Sequence, residues 1–209
     1  MARVKDSQIY QLRIDIASIR PPLWRRIAVR GNTTLNRLHE IIQVLFDWSG
    51  YHLHEFEVGA VEFTDDPESQ REFGMRSEKR VSLDDLSLAA GMAFTYLYDF
   101  GDGWYHRIKV EKVLPPDSTG VYPVCLTGKR AGPLEDCGGP WGHAEIVKLL
   151  KQVAEGQIKM PAWDEGPPDE EDEEVDYEIR ERLEWVGADY DPEAFDLEAI
   201  NAALKRFQR

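Results

Sequence analysis

His52-Leu53-His54 carries two imidazoles two residues apart, and in an extended strand such residues point to the same side. Paired imidazoles on one face suit a divalent metal when a third donor reaches them. His106 shares an alternating face with Trp104, Ile108 and Val110, and His39 lies within an amphipathic run, so four of the five histidines are directed inward. A buried imidazole needs partners for both ring nitrogens. Asp99, Asp102, Glu135 and Asp136 are the acids placed to supply them. Two chemistries stay open. In one, His52, His54 and His106 are metal ligands with Asp99, Asp102 or Glu135 as ligand or base. In the other, the same residues form a satisfied polar network that ties sheet to helix.

Other candidate groups are less complete. Cys125 and Cys137 stand twelve residues apart without a C-x-x-C pair, which with His143 added still fits no standard zinc finger. Cys137 precedes a helix start, a position that lowers a thiol pKa, but it also reads as a small residue in a tight Gly-Gly turn. Asp99-Phe100-Gly101 matches the metal-binding tripeptide of protein kinases, yet no Gly-rich phosphate loop or His-Arg-Asp loop accompanies it. It reads as a hairpin turn. Arg20, Arg25, Arg26 and Arg30 surround Trp24 as a local basic stripe. Neighbouring strand residues face opposite ways, so one of Arg25 and Arg26 points inward, toward an acid. The stripe is a phosphate or nucleic-acid contact, or else it is consumed in pairing within the chain.

These residues must be positioned by regular elements. Gln8 to Ile16 alternates as a half-buried strand, and a second strand runs from about Leu23 to Val29 after Pro21-Pro22. Thr33 or Thr34 caps a helix whose Leu35, Leu38, Ile41, Ile42 and Leu45 make a broad apolar stripe, ending between Asp47 and Gly50. Short strands are expected at His52 to Val58 and Ala60 to Phe63, then a polar surface loop through Asp65-Asp66-Pro67. Val81 to Leu88 has no decisive pattern. Phe94 to Tyr98 and Trp104 to Val110 form a hairpin across Asp99 to Gly103. A long connection with Pro115-Pro116, Pro123 and Gly128 leads to the Pro133 to Gly142 segment, which opens a helix from about His143 to Glu155, stopped by Gly156. Val175, Ile179, Leu183 and Val186 mark one C-terminal helix, and Asp196 caps another with Leu197, Ile200, Leu204 and Phe207 on its buried side.

Strands in runs with helices gathered between them indicate α+β with mainly antiparallel sheet. The expected division is a core domain over 1–160, an acidic linker over 161–176 and a C-terminal helical segment over 177–209 packing on the core. With 42% hydrophobic residues and no long apolar run, the composition of the 209 residues excludes membrane-spanning and fibrous classes. The first residues lack the apolar stretch of a signal peptide, so a cytoplasmic location and two free thiols are expected. A net charge of -14 disfavours indiscriminate polyanion binding.

Pro21-Pro22-Leu23-Trp24-Arg25-Arg26, Leu38-His39, Ile42-Gln43, Trp48, and His52-Leu53-His54-Glu55-Phe56 together resemble the plasmid pRiA4b ORF-3-like family. Tyr96 to Trp104 with His106, Pro133 to Gly142 and Asp191-Pro192-Glu193 extend the resemblance in order along nearly the whole chain, while Trp141 departs from the family's pattern. The resemblance implies an antiparallel sheet wrapped around a central helix, and an uncharacterised family found on plasmids and other mobile elements. A transposon-resolvase label carried by some relatives finds no nucleophile serine in Ile9 to Asp15.

The leading expectation is a non-enzymatic binding or interaction module for a protein or small-molecule ligand. Trp24, Arg25, His39, Trp48, His52, His54, Asp99, Asp102, Trp104, His106, Glu135 and Asp136 would form its polar-aromatic groove. The sequence requires no cofactor. The alternative is a metal-dependent hydrolase, and a weaker one is DNA contact through the basic stripe.

Overall fold

The computed structural model describes residues 7–158 and 177–208. The expected acidic linker over 161–176 lies outside the described residues. Alternation sets the first strand, β1 (Ile9–Ile16), in which Tyr10, Leu12, Ile14 and Ile16 are buried while Gln11, Arg13 and Asp15 remain half-buried. It lies between β2 (Trp24–Arg30) and the long β7 (Trp104–Leu114), antiparallel to both. β6 (Ala93–Tyr98) pairs with β7 as the hairpin the sequence indicates, and β3 (His54–Val58) joins the far side of β6. β4 (Val61–Thr64) and the two-residue β5 (Arg76–Ser77) complete that end, and β8 (Val124–Lys129) completes the other. The order is β5-β4-β3-β6-β7-β1-β2-β8, with β4 and β5 the parallel pair.

Helix α1 (Leu35–Phe46) places its predicted stripe in the core: Leu35, Leu38, Ile41, Ile42 and Leu45 are all buried. Thr34 caps it by accepting the Arg37 N–H, and Asp47 ends it in the left-handed conformation. Side chains from both halves of the sheet hold this helix. Tyr96 of β6 meets His39 and Gln43, and Arg25 of β2 donates to the Leu45 carbonyl.

Three expectations are corrected. The polar loop at Asp65-Asp66-Pro67 is instead the start of a short helix, α2 (Pro67–Glu72), capped by Asp66 accepting from Ser69 N–H, with Pro67 in the first turn where a missing N–H costs nothing. The long connection contains β8, which has Pro just before it and Gly within it and so lacks a strand signature. α3 (Gly139–Ala154) begins four residues before His143, because Pro140 fits a first turn. Val81 to Leu88 holds a short 3-10 turn at Leu83–Leu86. The C-terminal helices are α4 (Tyr177–Val186) and α5 (Leu197–Leu204), the latter capped by Asp196 as expected. Asn201 of α5 hydrogen-bonds both the N–H and the carbonyl of Cys125, covering part of the β8 edge that would otherwise be open. Among the described residues no helix is long and apolar enough to cross a membrane.

Candidate functional site

Three loops meet beside the β6–β7 hairpin. The first follows α1, where Trp48 donates from its indole to the Pro133 carbonyl at 2.8 Å and stacks on Tyr98 with centroids 5.0 Å apart. The second is the hairpin turn. Asp99 sits at φ 56 and accepts the Gly101 and Asp102 N–H groups on Oδ1, which leaves Oδ2 directed to His52 at 3.5 Å. The third leads into the start of α3, where Gly139 at φ +68 lies against the Asp102 backbone and Gly138 N–H donates to Asp102. Glu135 accepts from Tyr98 Oη at 2.6 Å and from Ser49 N–H at 2.8 Å, tying this stretch to the other two.

His52 is the point of convergence. Its Nε2 is 3.2 Å from Asp136 Oδ1, and the three donor atoms of His52, Asp99 and Asp136 lie within 4.8 Å of one another. Nε2 is shielded from solvent and makes no hydrogen bond, so the two carboxylates are near it without correct donor geometry. Donors sharing a metal at bonds of about 2.0 to 2.2 Å stand about 3.0 to 3.5 Å apart. The spacing around Nε2 fits that pattern. Tyr51 donates to Asp136 Oδ2, and this bond, with the nearby carboxylates, pushes the phenol up to about 12. Burial, then the bond to Glu135, raises Tyr98 above its ordinary value too. Both phenols are therefore neutral donors at physiological pH.

The expected trio His52, His54 and His106 does not form a common ligand set. Among the described residues the cluster able to hold a metal is His52, Asp99 and Asp136. β3 begins only at His54, so strand alternation does not extend to His52 and the two rings part. His54 turns into the core, 3.1 Å from both oxygens of the buried Glu78 and stacked on His39 at 3.6 Å. His39 Nδ1 is hydrogen-bonded to Tyr96 Oη at 2.7 Å, and Gln43 donates to the same oxygen. Burial, with His54 adjacent, lowers His39 to about 3. His106 is fully buried, with Nδ1 facing the Trp104 and Tyr96 carbonyls and Nε2 unpartnered, and burial lowers it to about 4.

Of the other expected groove residues, Trp104 packs behind Trp48 at 5.8 Å. Trp24 lies on the sheet face away from α1, between the Arg13 and Arg26 guanidiniums, 4.2 and 5.2 Å from its ring. Arg25 is buried and meets backbone carbonyls, whereas the outward Arg26 pairs with Glu111, so the expected inward pairing with an acid is reversed. Cys137 is no activated thiol: burial and the Asp102 charge push it up to about 12. Glu78, Tyr51 and Tyr98 were missed as polar partners. Tyr51 adjoins His52, a readable signal; Glu78 sits in a charged stretch with none.

An α+β chain built on a mainly antiparallel sheet, with a His-Asp-Asp cluster at the end of its central hairpin, is the class that fold and site define. The chain belongs to the plasmid pRiA4b ORF-3-like protein family, whose model matches residues 8–199. It is 33% identical over 200 residues to the uncharacterized protein y4hQ of Sinorhizobium fredii, covering 95% of this chain and 91% of that one. It also resembles the crystal structure of a protein of unknown function, MM3350, from Methanosarcina mazei Go1. That match has a TM-score of 0.71 and 33% identity, and covers 92% of this chain and 97% of the other.

Proposed function

We propose that the protein is a binding module whose site is the polar-aromatic cluster at His52, and that the cluster takes a divalent cation through His52, Asp99 and Asp136. One observation carries this reading: loops remote in sequence bring three donors within 4.8 Å around an imidazole nitrogen that has no hydrogen bond. One imidazole and two carboxylates suit zinc or manganese. Three protein ligands leave coordination positions for a group of the partner or ligand. Tyr98, buried and edge-on to the His52 ring at 5.6 Å, backs that imidazole, and Trp48 stacks on Tyr98. In this reading the core spans 1–160, its sheet laid about α1, and 177–209 is a helical segment docked on it.

Metal-assisted hydrolysis is the second reading, favoured by the same open positions, since a bound water would become the nucleophile. The test is calorimetry and elemental analysis of the full-length chain with zinc and manganese. One cation per chain is expected, lost in His52→Ala and in Asp99→Asn, which keeps the turn acceptor. No saturable binding removes both readings, and binding without turnover of a simple ester or phosphodiester removes the second.

A further inference from the structure

The C-terminal end of α1, the 131–135 segment and α5 enclose a cavity of about 500 Å³, a size that suits small molecules. None of His52, Asp99 and Asp136 lines it, and Phe46, Leu134, Phe195 and Ile200 make its walls apolar. One lining residue is charged and buried: Arg25 is 2% exposed. Its guanidinium carbon is 5.0 Å from the ring centroids of both Phe46 and Phe195, a cation held between two aromatic faces. Nε donates to the Leu45 carbonyl at 2.9 Å, and Nη1 donates to the Trp24 and Lys129 carbonyls at 3.0 and 2.9 Å. Every partner is a neutral carbonyl. Nη2 has no hydrogen bond to any described residue, and no described carboxylate pairs with this guanidinium. Burial lowers Arg25 only to about 10, so it is a cation at neutral pH. A buried charge without a counterion is costly, and a carboxylate that reached it would offset that cost through charge-assisted hydrogen bonds.

We propose that this cavity binds a small monocarboxylate with a hydrocarbon body, the carboxylate on Nη2 of Arg25 and the body along Phe46, Phe195 and Ile200. The mouth limits the charge of the ligand. Asp47 and Asp196 are exposed there and Glu135 is half-buried in the lining, and their charges repel multiply charged anions such as nucleotides several-fold more strongly than a monocarboxylate.

Octanoate is the probe, added to the full-length chain in the presence of a chelator and followed by calorimetry. Saturable binding in the micromolar to low millimolar range is expected, with octan-1-ol and octylamine failing to compete. Arg25→Met weakens binding by about tenfold or more, the equivalent of one lost charged hydrogen bond. Because Arg25 is in the core, Ala199→Trp is the second variant: it blocks the cavity from an exposed position on α5 and abolishes binding in a folded chain. His52→Ala leaves octanoate binding unchanged, which separates this site from the cation site. No saturable binding by the unmodified chain, equal binding of octan-1-ol, or full binding in Ala199→Trp overturns the proposal.

Discussion

His39 and His106 are buried neutral imidazoles, one bonded through Nδ1 to the Tyr96 hydroxyl and the other donating from Nδ1 to carbonyls. Their depressed values, about 3 and about 4, make the folded state bind fewer protons than the unfolded chain once the pH drops below the ordinary histidine value. Stability from these two groups is complete above about pH 6.5, and each costs about 1.4 kcal/mol per pH unit below it until the folded pKa is reached. Glu111, held near 2 by Arg26, loses its contribution only below the ordinary carboxylate range, so the interval between about pH 4.5 and 6.5 reports chiefly the buried histidines, with His143, lowered by burial, adding to the fall and Glu55, raised by burial, opposing it. Urea unfolding at about pH 7.5 and about pH 5 should show the midpoint falling, and an unchanged midpoint would contradict two buried neutral rings. The inward direction of His39, His54 and His106 was legible from spacing. Asp99 and Asp136 were legible as acids placed to partner the histidines, but their convergence on His52 was not, because they reach it through positive φ angles, 56 and 58, which the turn and the loop impose in three dimensions.

At the level of elements, the start of α3 decides where Glu135 and Asp136 stand. Gly139 and Gly156 both have positive φ, +68 and +72, but a Cβ at Gly139 would run into the Asp102 carbonyl while one at Gly156 would meet nothing. Gly156→Ala should therefore cost only the left-handed penalty of about 1 to 2 kcal/mol. Gly139→Ala should cost that plus about 1 to 3 kcal/mol for the overlap, and it should also weaken cation binding at His52 because the 133–138 stretch must shift. Thermal unfolding and calorimetry on the two variants check this; equal losses would mean that the contact with Asp102 does not position the loop. Strong periodicity made α1, β1 and the β6–β7 hairpin readable. β8 was hidden because its stability comes from partners: Cys125 is paired with Ile27 of β2 on one side and with Asn201 of α5 on the other, so its own side chains needed no pattern. α2 had its signal in Asp66 and Pro67, but the polar run from Glu68 to Glu72 offers no apolar stripe, and none of the helix's residues is buried.

Charge belongs to the whole molecule. The chain holds 25 basic and 39 acidic residues, a net of -14, and ten of those acids fall between Asp164 and Glu178, so the other 194 residues carry 25 minus 29, or -4. The first thirty residues carry seven bases against two acids, or +5, which left a local contact with DNA open. Among the described residues, the five arginines of this stretch are engaged within the fold. Arg13 pairs with Asp15 and Arg26 with Glu111, Arg30 donates to the Asp117 and Gly120 carbonyls, and Arg20 donates to the Ile19 carbonyl. Arg25 is in the core and cannot reach a phosphate. Releasing counterions from DNA requires cations free to approach it, and a pair such as Arg26 with Glu111 presents no net charge. Fluorescence anisotropy with a labelled duplex should therefore show no binding at about 50 mM salt. Arg25→Ala with Arg26→Ala should lower the melting temperature while leaving the DNA result unchanged, because it empties a core position and strands Glu111. Binding that weakens steeply with salt and disappears in that double variant would show instead that these arginines leave their partners for phosphate, and the internal assignment would fall.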